Sequence, residues 1–156
     1  MMDIDIPGLG SLHLAHLVMD YNGTLALDGR LIDGVKTRLG KLGQQMQLHV
    51  ITADTFGDVA QALHGVDCQL YVLRPGLQDS AKRDYVHELG AKAVVSIGNG
   101  RNDCLMLQAS VLGIGLIQLE GACGKTLMAA DVVCTSIVDA LDLLLHPLRL
   151  IATLRK

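Results

Sequence analysis

Residues 16–24 read HLVMDYNGT, an apolar run from His16 to Tyr21 that carries Asp20 near its end and passes into Asn22, Gly23 and Thr24. A short apolar run bounded by turn-forming residues predicts a strand buried on both faces. The same kind of unit recurs along the chain. Gln47 to Ala53 (QLHVITA) predicts a second strand, Cys68 to Leu73 a third and Ala93 to Ile97 a fourth, with short late strands at Leu112 to Ile117 and Asp131 to Cys134.

Helical stretches separate these strands. The first is predicted from an Asp33 cap to Leu42 and ends at Gly43. The second starts at Asp54 or Thr55, runs through His64 and stops at Gly65. A third covers about Ser80 to Leu89 and ends at Gly90. Another starts near Asn102, read as its N-cap, and the last starts near Ser136, with Pro147 restarting or kinking it. Between the first strand and the first helix, LALDGRLI (Leu25 to Ile32) places two apolar pieces around Asp28-Gly29, a pair favoured in tight hairpins.

Strands alternating with helices predict an α/β fold: a three-layer, Rossmann-like parallel sheet with helices on both faces and a hairpin flap after the first strand. The 156 residues predict a single domain over 1–156, with a core from about 14 to 145 and a C-terminal helix to 156. A chain of this length buries roughly 70% of its unfolded surface and needs no staples.

Half of the residues are apolar, yet aromatics are only 3%, with no Trp and one Phe, so the core must be built from Leu, Val, Ile, Ala and Met. Net charge is −3 and the pI about 6.0, which leaves no basic field for nucleic acid or an anionic membrane. The mean hydropathy of +0.37 calls for a check on membrane spans. The longest uncharged stretch, Cys104 to Leu119, is broken by Gln108, Ser110, Gly113, Gly115 and Gln118 and falls short of the ~18–20 residues a span needs. It predicts a buried helix followed by a buried strand. The N-terminus has two Asp and no basic segment, unlike a signal peptide. Cys68, Cys104, Cys123 and Cys134 are widely spaced and form no CxxC, as expected of reduced core thiols in a cytoplasmic protein, with a disulfide or a zinc site as the lesser alternative.

In parallel α/β sheets the site lies beyond the C-terminal ends of the strands. The polar residues there are Asp20, Asn22 and Thr24 after the first strand, Thr52 and Asp54 after the second, and Asn99, Arg101, Asn102 and Asp103 after the fourth. Lys82 opens the helix after the third. Two carboxylates, a hydroxyl and an ammonium at one edge suit phosphoryl transfer. Asp20 can attack phosphorus. Thr52 and Lys82 can hold the phosphoryl oxygens. Asp20 and Asp103 can share a magnesium ion. Taken singly, each residue has a plainer reading: Asp20 as a cap, Thr52 as a strand residue, Lys82 as a solvated lysine, Asn99 and Asn102 as turn formers. Thr24 is expected to stabilise its turn, and His49 to be a core or interface histidine with a hydrogen-bond partner.

Four segments in order carry a resemblance. DYNGT (20–24) resembles the first motif, DxDGT, of the haloacid dehalogenase superfamily. Thr52 after LHVI resembles the second, Lys82 in AKRDYVHELG the third, and GNGRND (98–103), which runs on into CLMLQASVLGIGLI, the fourth. The match covers about 20–134 and is most similar to small relatives of the P-type ATPase phosphorylation domain, whose first motif also lacks the second Asp. It implies that Asp20 is the phosphorylated nucleophile, that the Asn22 carbonyl, Asp20, Asn99 and Asp103 serve magnesium, and that Thr52, Lys82 and Asn102 meet the phosphoryl group.

Two residues depart from the motif. Phosphatases of the superfamily carry the acid/base Asp where this chain has Asn22; an amide cannot exchange that proton, and the loss costs about 10²–10⁴ in rate. Asn99 removes one charge from the metal site. No segment between the motifs is long enough for a cap domain, so the site is expected to be open. In the superfamily that this chain resembles, an open site goes with a homo-oligomer that covers it or with a macromolecular substrate. The function expected is therefore a magnesium-dependent phosphohydrolase or phosphotransferase on a small phosphorylated substrate or a phosphoprotein. The alternative is a degenerate relative that binds or regulates. A phosphorylation receiver is disfavoured, because the candidate nucleophile follows the first strand and GNGRND has no counterpart there.

Overall fold

The computed structural model describes residues 1–53 and 58–156. The chain opens with an antiparallel hairpin, β1 (Met2–Ile6) and β2 (Gly10–Leu14). In β1 every second residue is buried: Met2, Ile4 and Ile6 face inward while Asp3 and Asp5 face water. This hairpin packs into the main core with Leu12 and Leu14, so the core begins well before the position near residue 14 that the sequence suggests.

The central strand β3 (His16–Asp20) follows directly. The hairpin of β4 (Ala26–Leu27) and β5 (Arg30–Leu31) comes next, turning through Asp28 and Gly29 at φ 50° and 76°, as two-residue hairpins require. Then come α1 (Val35–Leu42), β6 (Gln47–Thr52), α2 (Asp58–Ala62), β7 (Gln69–Val72), α3 (Gln78–Leu89), β8 (Val94–Gly98), α4 (Cys104–Ala109), β9 (Leu112–Leu116), α5 (Gly124–Ala129), β10 (Val132–Cys134), α6 (Ile137–Leu145) and α7 (Pro147–Leu154). Pro147 takes the first turn of α7, where its missing N–H costs nothing.

Six strands form one parallel sheet in the order β10-β9-β8-β3-β6-β7. Among the described residues no cap domain stands over it. Leu17 and Met19 project to one face and join the larger core with α1 and α6; Val18 projects to the other and joins Val86, Met106 and Leu107 of α3 and α4. Burial on both faces is why β3, β6, β8 and β9 read as continuous apolar runs; β7, expected to be buried like them, is an edge strand exposed along its length. Arg38 on α1 clamps Asp142 on α6 through two hydrogen bonds of 2.8 and 2.9 Å.

Three cap expectations meet different outcomes. Ser136 caps α6, its hydroxyl accepting from the Asp139 N–H at 3.0 Å. Asp33 does not cap α1: Gly34, at φ 84°, holds that place with no side-chain cap, because the left-handed turn out of the hairpin needs a glycine there. Asn102 is not a cap either. It lies inside a 3₁₀ turn, Arg101–Asp103, and the Asp103 carboxylate takes the free N–H groups instead. The predicted helix start at Asp54 or Thr55 lies outside the described residues. The four cysteines are free thiols, of which Cys134 is buried.

Candidate active site

Strand register sets the frame of the site. Asp20 ends β3 and pairs with Ile51 on β6, so Thr52 stands one step beyond it on one side. On the other side Met19 pairs with Ile97 of β8, so Gly98 is level with Asp20 and Asn99 lies one step beyond. The residues read from the four motifs thus meet at one edge of the sheet. Asp20, Thr52, Lys82, Asn99 and Asp103 are all buried.

Lys82, on the first turns of α3, is fully buried. Its ammonium donates to Asp20 Oδ1 and to Asp103 Oδ1, each at 2.6 Å. Asp103 Oδ2 accepts from the backbone N–H groups of Asn99 and Gly100 at 3.0 and 2.9 Å. Gly98 makes this possible: a Cβ there would sit 2.5 Å from Asp103 Cγ. The Thr24 hydroxyl lies 3.4 Å from Asp20 Oδ2 and 3.3 Å from Asn99 Oδ1, bridging the first and fourth motifs as well as steadying its turn.

Two carboxylates against one ammonium leave this buried cluster short of positive charge. Burial first, and then the charge of Asp103, push the Asp20 carboxyl up to about 7, against the pull of Lys82. Burial alone would lower Lys82, but the charges and hydrogen bonds of Asp20 and Asp103 outweigh it and raise that group instead. A divalent cation would make good the deficit. The donors at the cluster are oxygens: the Asp20 and Asp103 carboxylates and Asn99 Oδ1. This set fits magnesium, which prefers oxygen and keeps several waters where protein ligands are few. No group of three His, Cys, Asp or Glu converges anywhere among the described residues, so the site offers only two close carboxylates.

Asn102 points elsewhere than expected of a phosphate ligand, its amide donating to Gln78 Oε1 at 2.9 Å. The side chain of Asn22 is exposed at the rim. His49 is buried and takes two partners, His16 at 3.1 Å and the Tyr85 hydroxyl at 2.9 Å.

The sequence reading missed the turn after β9. Gln118 Nε2 donates to the carbonyls of Gly23 and Thr24, each at 3.0 Å, and Gln118 Oε1 accepts from the Ile137 N–H at 2.7 Å. The rule that searched the ends of the other strands would have found this residue at the end of β9. A groove of about 540 Å³ runs beside the turn, lined by Gly23, Leu27, Ile32, Ile117, Leu119 and Glu120 among others.

Solved structures share this architecture. The 3-deoxy-D-manno-octulosonate 8-phosphate phosphatase of Moraxella catarrhalis, solved with magnesium, phosphate and KDO, superposes with a TM-score of 0.72 at 17% identity, over 92% of this chain and 94% of that one. The cobalt-bound deoxy-D-mannose-octulosonate 8-phosphate phosphatase of Haemophilus influenzae gives 0.70 at 15% identity, over 86% and 88%. An apo phosphoserine phosphatase gives 0.67 at 10%, over 83% and 98%. In sequence, an uncharacterized protein of Methanocaldococcus jannaschii is 52% identical over 64 residues, 41% of this chain and 69% of that protein. The chain belongs to the family of that archaeal protein and has the haloacid dehalogenase fold. A second uncharacterized protein of the same archaeon is 41% identical over 39 residues, 25% of this chain and 89% of that one. The phospholipid-transporting ATPase tat-1 of Caenorhabditis elegans is 34% identical over 77 residues, which are 47% of this chain and 6% of the transporter. No family model matches the chain. The haloacid dehalogenase fold accounts for the open parallel sheet. No helix among the described residues is long and apolar enough to cross a membrane.

Proposed function

We propose that this chain is a magnesium-dependent phosphohydrolase or phosphotransferase that works through an aspartyl-phosphate on Asp20. The observation that carries this reading is the buried bridge of Lys82 between Asp20 and Asp103, 2.6 Å on each side. A lysine buried only to hold two carboxylates would cost stability for no gain in packing. A lysine placed to meet phosphoryl oxygens needs to stand there.

In the reaction, an Asp20 carboxylate oxygen attacks phosphorus as the bond to the leaving oxygen breaks. The leaving group departs with the electron pair and takes a proton from water. The Thr52 hydroxyl and the Lys82 ammonium hold the phosphoryl oxygens through the transfer. Asp20, Asp103, Asn99 Oδ1 and the Asn22 carbonyl would hold magnesium, which when bound offsets charge on the phosphoryl group. Water then attacks the phosphorus of the acyl phosphate and restores Asp20. Asn22 cannot take the proton from that water, so this second step is slow and the intermediate accumulates. The substrate is a small phosphorylated compound, whose leaving group the apolar groove beside Gly23 can seat.

The test is labelling with acetyl phosphate and magnesium, followed by peptide mapping. A phosphoryl group on Asp20, absent in Asp20→Asn, supports the reading. Label on another residue, or none, overturns it in favour of a degenerate relative that binds or regulates.

A further inference from the structure

We infer that Glu120 is the carboxylate that serves the metal site where Asn99 lacks one, acting as an outer partner from the turn after β9. This rests on the proposed metal-dependent reading of the site. The turn, closed by the Gly121 N–H on the Gln118 carbonyl at 2.8 Å, is built against the site and not merely near it. Gln118 Nε2 ties it to the carbonyls of Gly23 and Thr24, three and four residues after Asp20. The Asn99 amide nitrogen donates to the Gly121 carbonyl at 3.0 Å, and the Cys123 N–H donates to the Asn99 carbonyl at 2.9 Å.

The first of those contacts orients Asn99. With its nitrogen donating to Gly121, its oxygen accepts from the Thr24 hydroxyl, which also donates to Asp20. Glu120 sits between these anchors, and its carboxylate comes over Gly23 beside the same amide. A Cβ at Gly23 would lie 2.7 Å from Glu120 Oε2 and 2.6 Å from Asn99 Nδ2. Gly23, at φ 79°, therefore leaves the space that Asn99 and Glu120 share. The inner cluster has two carboxylates and one ammonium, and the amide of Asn99 adds no charge. Glu120 brings one full negative charge to the flank of that amide. It is exposed at the rim, so it stays hydrated and would act through the waters that magnesium, when bound, keeps.

The test is titration calorimetry of the full chain with magnesium chloride, using wild type, Glu120→Gln, Asn99→Asp and the double variant. Glu120→Gln keeps the shape and removes the charge, and melting in EDTA should match wild type. Loss of such an outer partner should weaken magnesium binding by about 10–100-fold, and Asn99→Asp placed on top should restore most of it. Affinity of Glu120→Gln within about two-fold of wild type, against that expected range, overturns the assignment while leaving the phosphatase reading intact. Wild type that binds magnesium, loses affinity in Glu120→Gln, yet never labels on Asp20, overturns the phosphatase reading and supports the assignment. Wild type that binds no magnesium overturns both.

Discussion

Lys82 Nζ lies 2.6 Å from Asp20 Oδ1, across 62 positions of chain, and the lysine has no exposed surface. Removing a single partner from a buried ionic cluster leaves the remainder uncompensated. Lys82→Met keeps the bulk of the side chain and strands Asp20 opposite Asp103. Urea denaturation in EDTA at mildly alkaline pH should show a loss of about 3–5 kcal/mol. Magnesium should recover part of that loss, because it restores positive charge between the same carboxylates. A variant as stable as wild type would show that the buried ion pairs of Lys82 add nothing to stability.

Asn22→Asp places a carboxylate where phosphatases with this first motif carry one. Turnover of aryl phosphates should rise by at least about ten-fold, a conservative share of the range for a positioned acid/base. Single-turnover kinetics should locate the gain in the decay of the aspartyl-phosphate. Unchanged decay would mean that another group already handles the proton.

His49 supplies a pH signature away from the candidate site. It is buried against His16 and the Tyr85 hydroxyl, and burial, then the charge of His16, push its pKa from 6.5 down to about 4. The unfolded chain therefore takes up this proton first as pH falls. The stability tied to neutral His49 is full above 6.5 and is lost progressively toward about 4. Asp20, raised to about 7, works in the opposite direction over much of this window, so wild type alone is not diagnostic. The comparison with His49→Gln isolates the histidine: the margin of wild type over the variant should shrink as pH drops from 6.5 to 4. A constant margin in urea melts would count against a buried neutral ring.

β7 is an edge strand whose Leu70, Tyr71 and Val72 are exposed. Unpaired edges of this kind invite pairing with another chain, and no cap among the described residues covers the site. Light scattering should show a dimer or tetramer, and Tyr71→Lys should shift it toward monomer. A clean monomer of wild type at micromolar concentration would remove the homo-oligomer from the account.

The sheet, its parallel sense and four of the site's polar residues were legible in sequence because they depend on local pattern. A strand covered on both faces must be apolar throughout, and the residue that ends the run, Asp20 or Thr52, announces the edge where ligands bind. The Asp28-Gly29 turn and the Ser136 cap are likewise decided within a few residues. The hairpin of Met2–Ile6 and Gly10–Leu14 went unread: the residues of its first strand alternate in and out, but each strand is only five residues long, too short a pattern to stand out. The remaining features turn on contacts between distant segments. Whether Asp33 or Gly34 starts α1 is decided by the left-handed turn leaving the flap, and Asn102 is drawn to Gln78 because Asp103 already holds the free N–H groups of its turn. Taken alone Lys82 reads as an ordinary helix lysine; its place in the order of motifs marks it for the site, and the packing of α3 sets its bridge between Asp20 and Asp103. Gln118 and Glu120 read as loop residues until the turn after β9 closes on Gly23. Their roles depend on distance in space, which a one-dimensional pattern does not carry.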